Sequence, residues 1–125
     1  MEKKSFERRF DVLNDNAKEW VAALRSGEYQ QTKDRLFDGE GHCCLGVGCK
    51  VCGLEPVFDG RDYKFDDMVT MLPKVVKEAL GLRSEGGDYH SSNGSFTSLT
   101  DDNDSGKTFA EIADIIESEP EGLFV

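Results

Sequence analysis

A chain of 125 residues with 38% apolar and 32% charged side chains is long enough for one domain with a modest core. That composition excludes collagen-like, coiled-coil and disordered classes. No apolar run nears the roughly 20 residues of a bilayer span, and MEKKSFERRF lacks the apolar stretch of a secretory leader, so a soluble protein is expected.

In chain order, Phe6, Phe10, Leu13, Ala17, Trp20, Val21 and Leu24 lie on one helical stripe. The stripe reads either as one rod continuous with an N-terminal extension (residues 1–15) or as a second helix opening at Asn16. Glu19, three residues later, gives Asn16 a capping-box form, and Gly27 ends the helix. Residues 29–37 predict a polar strand, and Asp38-Gly39-Glu40-Gly41 a hairpin turn into His42. Leu45, Cys49 and Cys52 share a helical face closed by Gly53, and the two glycines between them allow a close neighbour. Residues 57–71 predict irregular strand with a turn at Asp59-Gly60. Pro73 opens a helix with Val75, Val76, Ala79 and Leu80 on one side, and Gly81 closes it. Residues 83–95 predict a loop and residues 95–100 a short strand. Thr108-Phe109-Ala110-Glu111 is a capping box that turns Phe109, Ile112, Ala113 and Ile116 inward, and Pro120 follows the last helix. Residues 1–125 therefore predict a single α+β domain: three or four short helices packed on a small antiparallel sheet.

Residues 84–125 hold ten Asp and Glu against Lys107 alone, a balance of −9 within the formal −10 of the chain. Such a surface repels phosphates and anionic membranes, so direct nucleic-acid binding is not expected, and it suits a basic protein partner or a cation. The plainer alternative is acidity that keeps a small protein soluble. Asp101, Asp102 and Asp104 fall on an expected exposed turn, and Glu111, Asp114 and Glu117 recur every three residues opposite the apolar face of the last helix.

His42-Cys43-Cys44-x4-Cys49-x2-Cys52 has the donor types of a zinc site, so His42, Cys43, Cys49 and Cys52 are metal candidates. Four donors within eleven residues lack a distant second knuckle, and the helical phase buries Cys49 and Cys52 beside Leu45. Packing is the favoured reading; no metal and no cofactor is expected. A nucleophilic cysteine would need His42 or His90 as base, yet neighbouring side chains on a strand point to opposite faces. Gly106-Lys107-Thr108 has Asp101 where a phosphate loop needs glycine, and Asp101-x-Asn103-x-Ser105-Gly106 has Ile112 where a calcium loop needs its acid. No catalytic residue is assigned, and an enzyme is not the favoured class.

Three blocks together resemble a known family. They are Trp20-Val21-Ala22-Ala23-Leu24-Arg25-Ser26-Gly27-Glu28-Tyr29, Cys43-Cys44-Leu45-Gly46-Val47-Gly48-Cys49, and Leu99-Thr100-Asp101-Asp102 leading to the Gly106–Ile116 run GKTFAEIADII. In this order, with the Leu72-Pro73-x2-Val76 helix between, they resemble a family of small uncharacterised proteins of tailed bacteriophages. The resemblance implies a phage gene product at work in the host cytoplasm, and carries over no activity.

The expected function is that of a phage-type accessory protein acting without catalysis. It would bind a host protein with a basic surface, one of antiviral defence among the candidates, and inhibit or redirect it through Asp101, Asp102, Asp104, Glu111, Asp114 and Glu117. The alternative is a small-ligand or metal-binding module that sequesters a nucleotide-like signal in a pocket built by loops 38–42 and 84–94. A homo-oligomer stays open.

Overall fold

Three of the five helices among the described residues begin where a side chain supplies a missing backbone partner. A computed structural model describes residues 13–125; the expected helical stripe through Phe6 and Phe10 lies outside them. Helix α1 (Asp15–Arg25) is capped by Asn14, whose side chain accepts from Ala17 N at 2.8 Å. Asn16, the expected cap, lies inside the helix instead and, like Asn14, donates to the carbonyl of Ala79. Helix α2 (Cys44–Val51) follows Cys43, and helix α3 (Lys74–Leu80) follows Pro73 and stops at Gly81 in the left-handed region. Helix α4 (Leu99–Asp104) is capped by Ser98, and helix α5 (Phe109–Glu117) opens with the complete Thr108–Glu111 capping box.

Two antiparallel hairpins complete the described residues. Strands β1 (Val57–Phe58) and β2 (Tyr63–Lys64) pair Val57 with Lys64. Strands β3 (Asp88–His90) and β4 (Phe96–Ser98) pair Tyr89 with Thr97. The α+β class holds, with five helices among the described residues and the sheet divided into two separate hairpins.

Four local expectations are corrected. Residues 29–37 form no strand: Asp34 has φ +70° and bends the segment, so that Gln31 and Phe37 make single bridges to the two sides of His42. The loop expected at residues 83–95 contains β3. The strand expected over residues 95–100 ends at Ser98, and Leu99 already belongs to α4. Val75 is exposed, so α3 buries only Val76 and Leu80.

The core gathers where α1 packs across α2 and α5. Trp20 is fully buried and its indole N–H donates to Cys44 O at 2.8 Å, which ties the largest core side chain to the first turn of α2. The glycines of α2 permit that closeness. A Cβ on Gly46 would stand 1.9 Å from Leu36 O, and one on Gly48 would meet Leu80 at 3.0 Å and the Trp20 ring at 3.3 Å. The C-terminal residues return beside α3, with Val125 N bonded to Gly81 O and Arg83 N to Leu123 O. No helix among the described residues is long and apolar enough to cross a membrane.

Candidate functional site

The acidic last third divides by the job each carboxylate does. On α5, Glu111 completes the capping box by accepting from Thr108 N. Asp114 and Glu117 stand on the outer face and both accept from the Arg25 guanidinium, at 2.7 and 2.6 Å. Arg25 lies in the last turn of α1, 89 and 92 residues away in sequence. Exposed pairs of this kind contribute about 0.2–1 kcal/mol each. Two acids answered by one cation leave this face negative.

The expected exposed turn of Asp101, Asp102 and Asp104 is a helix, and the three acids part company on it. Asp101 points to solvent. Asp104 is half-buried and accepts from Asp34 N at 3.0 Å. Asp102 is only 6% exposed and accepts from the Tyr89 hydroxyl, so it does not belong to the outer acidic surface as expected. Burial, and then the Asp102 carboxylate, pushes the Tyr89 pKa well up. The signal for this helix was present: Ser98 with an acid three residues later is a capping signature.

Asn103, between these acids, has no exposed surface. Its Oδ1 accepts from Gln31 Nε2 at 2.9 Å and from Cys44 N at 3.1 Å, and its Nδ2 donates to Thr32 O at 2.8 Å. One amide thus joins α4, α2 and the segment before Asp38. Beside it, Arg35, Cys43, Thr100, Asn103 and Asp104 line a cleft of about 230 Å³.

At that cleft Cys43 precedes α2 with the N–H groups of Leu45 and Gly46 directed at its sulfur, yet burial dominates and pushes its pKa up to about 11. The group is a thiol at neutral pH. Cys44 and Cys49 are buried more deeply and raised further by the same cause; Cys44 Sγ lies 3.6 Å from Leu99 O, a weak thiol bond. His42 faces away into aromatic rings, 4.5 Å from Phe37 and 5.3 Å from Tyr29, edge-on. Its Nε2 is buried without a partner, and burial followed by the charge of Lys50 lowers its pKa. No hydrogen bond joins this imidazole to a thiol among the described residues. Nor do any three His, Cys, Asp or Glu side chains there come together where they could hold a metal ion, so His42, Cys43, Cys49 and Cys52 do not form the ligand set their spacing suggested.

A second and larger cleft, about 440 Å³, lies between the β3–β4 hairpin and the C-terminal helices. It is lined by Tyr89, Ser91, Thr97, Asp102, Lys107 and Ile115 among others. Lys107 makes no ion pair among the described residues. The arrangement offers binding groups of both signs around hydroxyls.

A family model described as a domain of unknown function (DUF8296) matches residues 13–120. Searches of curated proteins and of solved structures returned no match.

Proposed function

We propose, for a chain that belongs to the DUF8296 family, the function of a phage-type accessory protein. It acts without catalysis in the host cytoplasm, binding a host protein with a basic surface and inhibiting or redirecting it. One observation carries the reading. Asp101 on α4 and Glu111, Asp114 and Glu117 on α5 are all exposed, and among the described residues Arg25 is the one cation that pairs with them. Like charges at this helical spacing cost a few tenths of a kcal/mol each, so a binding surface gives them a use that folding does not. Their field would speed encounter with a basic partner and be screened by salt. The cysteines support the absence of catalysis from another side: each buried thiol is held protonated, and the nearby imidazole is in an aromatic box rather than beside a sulfur.

The test combines capture with kinetics. The protein is used to capture its partner from host lysate, and association of the purified pair is followed at low and physiological salt. Asp101→Asn with Asp114→Asn should leave the melting temperature nearly unchanged, since Glu117 keeps Arg25 paired. Association at low salt should slow by roughly tenfold, with a flatter salt dependence. An unchanged association rate at both salt concentrations would overturn the reading.

A further inference from the structure

The cleft between the β3–β4 hairpin and α5 holds a charged group that folding has only half used. Asp102 is 6% exposed, and Tyr89 is its single side-chain donor among the described residues, bonding Oδ2. Oδ1 receives no donor from the protein there. That oxygen is not enclosed, since the buried side-chain polar atom without a partner among the described residues is His42 Nε2; Oδ1 stays accessible, and a ligand that donates to it makes a bond stronger than a neutral hydrogen bond. The Tyr89–Asp102 contact also locks the carboxylate in place before anything binds, which lowers the ordering cost of binding.

The rest of the lining narrows the ligand. Lys107 lines the same cleft and makes no ion pair among the described residues, so a metal ion or an organic cation would meet a like charge nearby. What satisfies a carboxylate without being a cation is a neutral donor, above all a hydroxyl. Ser91 and Thr97 stand on the hairpin side of the cleft and can each donate or accept; Thr97 lies directly across the strand pair from Tyr89. Ile115 and Pro120 add apolar surface to the lining, suited to the face of a sugar ring or a base. A volume of about 440 Å³ is within the range of small-molecule sites.

We infer that this cleft binds a compact polyhydroxylated ligand, a monosaccharide or a ribonucleoside, whose neighbouring hydroxyls donate to Asp102 and share bonds with Thr97 and Ser91. Lys107 then accommodates a hydroxyl oxygen or an anionic substituent. The site is separate from the outer acidic face and does not depend on the protein-binding function proposed for it.

Amide chemical-shift mapping of the full chain tests the site with three probes: glucose, adenosine and 2′-deoxyadenosine, each up to about 10 mM, where a millimolar Kd is already near saturation. Saturable shifts centred on Tyr89, Thr97, Asp102 and Lys107 are expected with glucose or with adenosine. Glucose alone assigns a monosaccharide site, and adenosine alone a ribonucleoside site. In the second case 2′-deoxyadenosine should bind about tenfold more weakly. Asp102→Asn should weaken binding about tenfold or more. Because that variant alters a buried group, Thr97→Val and Lys107→Met, at half-buried and exposed positions, supply independent variants that keep the Tyr89–Asp102 contact; each should weaken binding several-fold. The inference fails if neither glucose nor adenosine gives saturable shifts at these amides. It fails equally if the deoxynucleoside binds as well as the ribonucleoside, or if the folded variants bind as tightly as the parent chain.

Discussion

Two turns of the same design lead to opposite fates. Asp38 accepts from Glu40 N and Gly41 N, and Asp59 accepts from Arg61 N and Asp62 N, so each carboxylate closes a tight Asp-Gly turn. Each is held below the usual carboxylate range. The Gly41 N–H and then the Thr32 hydroxyl hold Asp38 down to about 2, while the Asp62 N–H and then the Lys64 ammonium lower Asp59. After the first turn the chain enters the core at once, and residues 42–49 are all buried. After the second it runs along the surface, with Tyr63 and Lys64 half-buried and Phe65 alone reaching the core, while Val57 66% and Phe58 55% are exposed on the arm that precedes the turn. Turn chemistry therefore sets where the chain reverses, and the residues around the turn set whether the reversal is buried. His-Cys-Cys-Leu-Gly-Val-Gly-Cys offers small and apolar groups that fit under Trp20, whereas Arg-Asp-Tyr-Lys-Phe-Asp-Asp buries Phe65 alone and keeps the charges around it toward water.

The comparison breaks first at Gly46. A methyl group there would overlap Leu36 O, and Leu36 is itself fixed by bonds from Cys43 N to its carbonyl and from its own N–H to Val69 O. Gly46→Ala should cost more than about 3 kcal/mol or abolish folding, as read by urea denaturation. A variant with an unchanged midpoint would mean that α2 does not lie against residue 36.

A smaller effect sharpens the buried side through pH. His42 has its pKa lowered from 6.5 in the fold, by burial first, so the unfolded chain takes up the proton before the folded one does. Stability from this group is complete above the unfolded pKa of about 6.5 and falls as pH drops below it toward the lower folded value. Between about pH 7.5 and about pH 5.5 the parent chain should lose on the order of 1 kcal/mol, and His42→Phe should remove that loss. If the melting temperatures of parent and variant fall in parallel over this interval, the imidazole is not held neutral in its aromatic box.

The smallest effect belongs to the exposed side. Phe58 touches Tyr63 with ring centres 4.9 Å apart but leaves most of its surface in water. Phe58→Ala should change stability by no more than about 0.5 kcal/mol in the same denaturation experiment. A loss above about 2 kcal/mol would place the hairpin in the core instead.

Part of this pattern was legible in the residues. The α5 stripe of Phe109, Ile112, Ala113 and Ile116 is buried as its 3.6-residue spacing predicts, and Trp20 lies in the core with Ala17, Val21 and Leu24. The acidic site was less legible. Its charge was plain, but a count of carboxylates does not separate Asp101, in solvent, from Asp102, one residue on and enclosed. Helical geometry turns adjacent side chains about 100° apart, so once residues 99–104 are helical the two acids point to different surroundings.

What the sequence alone determined is local: capping pairs such as Thr108 with Glu111, the glycine stops at Gly27, Gly53 and Gly81, the two Asp-Gly turns, and the apolar stripes of the longer helices. Each depends on groups within a few residues, so adjacent chemistry suffices to specify it. Only the tertiary structure decided that Asn103 reaches Gln31, Thr32 and Cys44, that Arg25 meets Asp114 and Glu117, and that Tyr89 claims one oxygen of Asp102 while leaving the other to the cleft. Most of those partners lie 59–92 residues apart. A polar side chain has several acceptable partners by type, and which one it meets is settled only when apolar burial has brought the helices together.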